Sequence, residues 1–190
     1  MAQASERPSI EALAADVEAV LATTSDPRQI TAKVAELARP FADDQGWIVP
    51  DCYLTDDSQG IGVKILHEGP DHGLLIETVC WQPGRGVKPH DHRTWGVVIG
   101  LEGDERNVSW RRLDDGTKPG FAELEEAEVT VARRGDVIVL MPDDIHSVTN
   151  EGDTPSLSLH IYGRSLAHTN RSEYEPSEKL QRPCPQRIRR

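Results

Sequence analysis

An all-β barrel or sandwich behind a two-helix cap is the fold class this sequence predicts. Two stretches before residue 40 carry apolar residues at helical spacing behind capping residues. From residue 61 onward come short β-branched and aromatic runs, separated by glycine, proline and aspartate clusters. No repeat of solenoid or propeller period interrupts them.

The first helix is expected over 9–22, with Ile10, Leu13, Ala14, Val17, Val20 and Leu21 on one stripe behind Ser9 as N-cap. The second is expected over 27–38. Asp26 stands as its cap, Pro27 at its first position and Gln29 three after the cap, as in a capping box, with Ile30, Val34 and Leu37 as the apolar stripe and Pro40 as its stop. Strands are expected at 61–67, 74–81, 94–101, 105–113, 124–132, 136–140, 145–149 and 156–163. Turn signals stand at Gly69-Pro70-Asp71, Asp114-Asp115-Gly116 and Glu151-Gly152-Asp153. The organisation is a helical cap at 1–50, a β-domain at 51–175 and a tail at 176–190.

With 190 residues, 37% of them hydrophobic, the chain is long enough for one domain with a sizeable core. A net charge of −11 repels phosphate backbones and anionic membrane surfaces, so neither nucleic acid nor lipid is expected as partner, and the basic tail 186–190 is too short to reverse this. Cys52, Cys80 and Cys184 form no CxxC pair and leave an odd count, which speaks against a disulfide framework and suits a reducing cytosol. The N-terminus lacks a basic region followed by an apolar run, and no stretch approaches the roughly 18 apolar residues of a membrane span. A soluble cytoplasmic protein is expected.

The stretch Pro89-His90-Asp91-His92-Arg93-Thr94-Trp95-Gly96 carries the chemistry. In an extended strand, residues two apart share a face roughly 7 Å from each other, so His90 and His92 can aim at one centre. Gly84 precedes this pair and Gly103 follows it, a layout that resembles the first cupin motif. Gly135-Asp136-Val137 through Pro142, His146 and Asn150 resembles the second. The chain is therefore identified as similar to the cupin superfamily, whose fold is a double-stranded β-helix, or jelly-roll barrel. The resemblance makes His146 the third metal ligand beside His90 and His92.

Many cupins add a glutamate four or five residues after the second histidine; here those positions hold Gly96 and Val97, and Glu102 lies too far along. The ligand set is then three neutral imidazoles. Imidazole suits iron, copper, nickel and zinc, and an open three-ligand face is typical of ferrous oxygenases. Without an anionic protein ligand the ion keeps its dipositive charge and favours an anionic donor such as thiolate. A closed zinc site needs a fourth ligand that no spacing nominates.

The run Ser156-Leu157-Ser158-Leu159-His160-Ile161-Tyr162-Gly163 alternates without exception. Its polar face is either wetted or a hydrogen-bonded row directed at a metal. PHDHxxWG followed by SxHxYG resembles the cysteine dioxygenase family of cupin thiol dioxygenases, in particular the bacterial branch that includes 3-mercaptopropionate dioxygenase. The likeness covers about residues 60–175. It implies Fe(2+) as cofactor, a small thiol and O2 as reactants, a sulfinate as product, and Ser158, His160 and Tyr162 as the catalytic row. The cysteine that animal members cross-link to the tyrosine is absent from Trp95-Gly96-Val97-Val98, and Cys80 reads as a small core residue. The same resemblance offers two cations for a substrate carboxylate. Arg171 is preferred because a guanidinium grips a carboxylate bidentately; Lys64 is the second choice, and either is alternatively a solvated surface charge. Rival readings are another three-histidine cupin oxygenase, for example one cleaving a β-diketone, and a non-catalytic cupin that binds a small ligand.

Overall fold

A computed structural model of the protein describes residues 8–185; the readings of residues 1–7 and of the basic tail 186–190 lie outside the described residues. Both expected helices form, α1 (Ile10–Leu21) and α2 (Pro27–Ala38). The Ser9 hydroxyl accepts from the Ala12 N–H at 3.3 Å, and Asp26 Oδ1 accepts from the Arg28 N–H at 3.0 Å. The capping box is not completed. Thr24 Oγ1 takes the Asp26 N–H at 3.2 Å and donates to Gln29 Oε1 at 3.2 Å, so the glutamine reaches the cap only through a threonine. After the stop at Ala38, Pro40 opens a further turn, α3 (Pro40–Asp43), where its missing N–H costs nothing.

Eleven strands follow among the described residues: β1 (Ile61–Glu68), β2 (Leu75–Trp81), β3 (Gly86–His90), β4 (Gly96–Glu102), β5 (Glu105–Arg112), β6 (Leu124–Ala132), β7 (Val137–Leu140), β8 (Ile145–Thr149), β9 (Ser156–Tyr162), β10 (Ser172–Glu175) and β11 (Leu180–Pro183). All eight expected runs are among them. The three additional strands, β3, β10 and β11, contain proline or a single apolar residue and so carry no period-2 signal. Residues 180–183, expected as tail, pair with β10 and extend the second sheet.

The strands form two antiparallel sheets, ordered β1-β2-β9-β4-β7 and β11-β10-β3-β8-β5-β6. This is the double-stranded β-helix. The helices lie on the outer face of the first sheet, where Leu13, Val17, Ile30, Val34 and Phe41 join the sheet's Ile76, Val97, Ile99, Leu157, Leu159 and Ile161 in the main core. Each such burial is worth roughly 1.5–3 kcal/mol. The consequence for β9 decides the site. Its apolar residues pack outward under the helices, and its polar residues Ser156, Ser158, His160 and Tyr162 turn into the barrel, so the strand is buried on both faces. A wetted polar face is excluded.

Candidate metal centre

His90 closes β3, where it pairs in register with His146 at the start of β8. The β3–β8 register shifts between Val87 and His90, at Lys88 and Pro89, where proline offers no N–H to the ladder. His92 is not on the strand. The expected pleat geometry is replaced by a turn: the chain leaves β3 after His90, and Arg93 adopts a left-handed φ of 55° with its N–H bound to the Pro142 carbonyl at 3.1 Å.

That turn is held by Asp91, which sequence reasoning passed over. Its N–H donates to the Ser172 carbonyl at 3.1 Å, and its Oδ1 accepts the Ser172 N–H at 2.8 Å. Tyr174 donates to Oδ2 at 2.7 Å, and Arg93 lies 3.2 Å from the same oxygen. Asp91 is fully buried, a costly place for a carboxylate unless it serves as an anchor. Asp91→Ala should lower stability by about 3 kcal/mol, since two hydrogen bonds to a charged acceptor are lost. Urea unfolding of variant and parent measures this.

The three rings converge. Centroids of His90 and His92 are 4.8 Å apart, of His90 and His146 4.6 Å, and of His92 and His146 5.1 Å. The Nε2 atoms of His90 and His92 stand 3.2 Å apart. Two nitrogens at ~2.1 Å from one ion, at the angles of tetrahedral or octahedral coordination, are roughly 3.0–3.4 Å apart. His90 Nδ1 donates to the Lys88 carbonyl at 2.9 Å, which leaves the Nε2 lone pair toward the shared centre. Both nitrogens of His146, and Nδ1 of His92, are buried without a hydrogen-bond partner. Burial pushes His146 down to about 4; it also lowers His92, with His90, His146 and Arg171 as further causes. Three convergent rings, two of them, His92 and His146, held neutral by burial and carrying orphaned nitrogens, fit a divalent metal ion.

A second group, Glu68, His72 and His168, is exposed. Its imidazoles stack at 3.4 Å with planes 6° apart, so their in-plane lone pairs run parallel instead of converging.

Beside the buried centre runs the expected row. Ser158 Oγ is 2.9 Å from His160 Nε2, His160 Nδ1 is 2.8 Å from the Tyr162 hydroxyl, and that hydroxyl is 3.5 Å from His92 Nε2. Burial pushes His160 down to about 3. The pairs Trp95-Gly96 and Tyr162-Gly163 interlock: a Cβ on Gly96 would sit 2.8 Å from the Tyr162 ring, and one on Gly163 2.4 Å from Trp95 Nε1. Gly96, four residues after His92, thus leaves room for the tyrosine ring. Gly96→Ala should cost about 1–3 kcal/mol through this overlap, read as a lowered midpoint of thermal unfolding.

The three histidines, His160, Tyr162 and Arg171 line one pocket of about 520 Å³ including its mouth. Its apolar wall is Ile61, Val63, Val79, Trp81, Val87 and Val148. Arg171 arrives from the segment before β10, next to Ser172, the residue Asp91 holds. Lys64 is not brought to the pocket. The alternation of β1 turns Val63 inward and Lys64 outward, where its ammonium lies 3.5 Å from Asp51. Cys80 is fully buried in the main core, its thiol pushed up to about 11 chiefly by burial.

Two acidic residues in the barrel escaped the sequence reading. Glu77, on β2 opposite His160, is buried and lines the pocket. Glu105, at the start of β5, is 5% exposed and accepts from Ser158 at 2.9 Å and Ser156 at 3.2 Å. Burial raises its carboxyl from 4.5 to about 7, against the two serine hydrogen bonds. Because the folded value lies above the unfolded one, the folded state binds more protons between them. Stability is therefore highest below 4.5 for this group and falls by up to about 3 kcal/mol as pH rises through about 7. Urea unfolding across that range should show this slope in the parent and lose it in Glu105→Gln.

No protein-family model matches the chain. Among solved structures it is similar to an oxalate oxidase in complex with the substrate analogue glycolate, with 21% identity and a TM-score of 0.47 over 63% of this chain and 60% of that one. It is similar to an uncharacterized conserved protein with a double-stranded beta-helix domain from Klebsiella pneumoniae subsp. pneumoniae MGH 78578, with 15% identity and a TM-score of 0.48 over 67% and 96% of the two chains. An RmlC-like cupin from Shewanella frigidimarina NCIMB 400 matches at 19% identity and a TM-score of 0.43 over 57% and 80%. The chain thus spans 60% of the length of the oxalate oxidase. No helix among the described residues is long and apolar enough to cross a membrane.

Proposed function

We propose that this protein is a non-haem iron thiol dioxygenase that converts a small carboxylate-bearing thiol, 3-mercaptopropionate or a cysteine-like acid, and O2 to the corresponding sulfinate. The observation that carries this reading is Arg171 lining the same pocket as the three convergent imidazoles. A ferrous ion held by His90, His92 and His146 would supply open positions where a thiolate and dioxygen meet. Three uncharged ligands leave its charge uncompensated, which suits a thiolate, and Arg171 adds a cation for a carboxylate. The apolar wall keeps water from the reacting sulfur. Tyr162 holds its hydroxyl beside His92 and is tied through His160 to Ser158, so it can donate or accept a proton within the pocket. Cys52 and Cys80, buried and free, agree with a cytosolic location.

Oxygen uptake by the ferrous-reconstituted protein tests the proposal against a panel of thiols and one β-diketone, with the product identified by mass. Uptake with an acidic thiol and release of its sulfinate is expected. Uptake with the diketone alone, or tight ligand binding without turnover, overturns it. Tyr162→Phe removes a hydroxyl and little volume; iron content should persist while turnover falls about 10- to 1,000-fold. Undiminished turnover assigns the row a packing role.

A further inference from the structure

The hydrogen-bonded row does not end at Ser158. Its far end is the Glu105 carboxyl, which comes from the other sheet and bonds Ser158 and Ser156 through the same oxygen, Oε1. From that oxygen an unbroken path leads through Ser158, His160 Nε2, His160 Nδ1 and the Tyr162 hydroxyl to within 3.5 Å of His92. Every link but the last is 2.9 Å or shorter.

We propose that Glu105 is a positioning residue that sets the direction of every hydrogen bond in this row, and so decides whether the Tyr162 hydroxyl hydrogen points into the metal pocket or back toward His160. A serine hydroxyl has one hydrogen, and a neutral imidazole has one N–H and one bare nitrogen. With Glu105 ionised, Ser158 donates to Oε1 and must accept from His160 Nε2–H. Nδ1 is then bare and takes the Tyr162 hydrogen, so the phenol oxygen meets the pocket as an acceptor. With a proton on Oε1, each bond reverses. Glu105 donates to Ser158, Ser158 to Nε2, and Nδ1–H to the phenol oxygen, whose hydrogen now points into the pocket. If Tyr162 passes that hydrogen to a bound ligand, one O–H or N–H bond breaks and one forms at each link; the proton lost by Glu105 appears on the ligand. No charge crosses the barrel except that proton.

The surroundings allow Glu105 to play this part. The groups facing it are the Ser156 and Ser158 hydroxyls from β9 and, further off, the Cys80 thiol from β2. No charged side chain figures among the causes of its raised value. Arg106 and Arg133, near it on β5 and after β6, are engaged with Glu151 at 3.6 Å and Asp104 at 3.3 Å. The inference concerns the row alone and stands whether the bound ligand is a thiol or another small molecule.

Nitrogen-15 NMR of the full chain, labelled in histidine and loaded with diamagnetic zinc, reads which nitrogen of His160 carries the proton. The tautomer ratio should invert with pH, with Nδ1–H dominant below about 7 and Nε2–H above. Glu105→Gln should leave the ratio independent of pH. Ser158→Ala cuts the path in a different place and should do the same, so the test survives if the glutamine variant folds poorly. A His160 tautomer unchanged with pH in the parent overturns the proposal. So does an inversion that persists in Glu105→Gln, or one abolished by Glu77→Gln, the buried carboxyl opposite His160, and not by Glu105→Gln.

Discussion

His146→Ala should empty the metal centre. The variant loses the ligand that β8 brings to the pair from the β3 turn, leaving two imidazoles to hold an ion in a buried, largely apolar pocket. Loss of an outer partner of a metal ligand typically weakens affinity about 10- to 100-fold, so loss of a ligand should exceed that range. Metal per chain after dialysis against a weak chelator should fall from near one to a small fraction, with His90→Ala and His92→Ala alike and His160→Ala retaining most of its metal. Circular dichroism separates this from unfolding, because the His146 ring makes no hydrogen bond whose loss would disturb the sheets, and its backbone pairing survives in alanine. Full occupancy in His146→Ala would transfer the third position to His160.

Arg171→Ala should divide substrates by charge. A charge-assisted hydrogen-bond pair is worth roughly 1.5–3 kcal/mol, or about 10- to 150-fold in kcat/KM. That loss should fall on 3-mercaptopropionate, which carries a carboxylate, and spare cysteamine, which does not. Lys64→Ala should affect neither, since its ammonium lies outside the pocket beside Asp51. Equal losses on both thiols in Arg171→Ala would mean that the arginine shapes the pocket without gripping the carboxylate. The protein's net charge of −11 gives the local cation a further role, since an anionic substrate approaching the molecule is otherwise repelled.

What the sequence by itself determined was local. Period-3.6 and period-2 patterns record which side of an element faces apolar surroundings, so α1, α2 and the eight patterned strands were legible, as were their caps and turns. The sharing of one face by Ser158, His160 and Tyr162 followed from spacing alone, whereas His146 entered through the resemblance of its segment to the second cupin motif. Tertiary structure decided what spacing leaves undetermined. Alternation along β9 separates two faces without saying which lies inside; packing α1 and α2 onto Leu157, Leu159 and Ile161 turned the polar face inward. His90 and His92 meet through a turn anchored to Ser172, a contact spanning 81 residues that no local pattern encodes. The same anchor stands beside Arg171 and so favoured it over Lys64, whose strand pointed it outward. Glu105 joined the row from 53 residues upstream, on the other sheet. A lone buried carboxylate has no periodic signature, and only the closure of the barrel gives it partners.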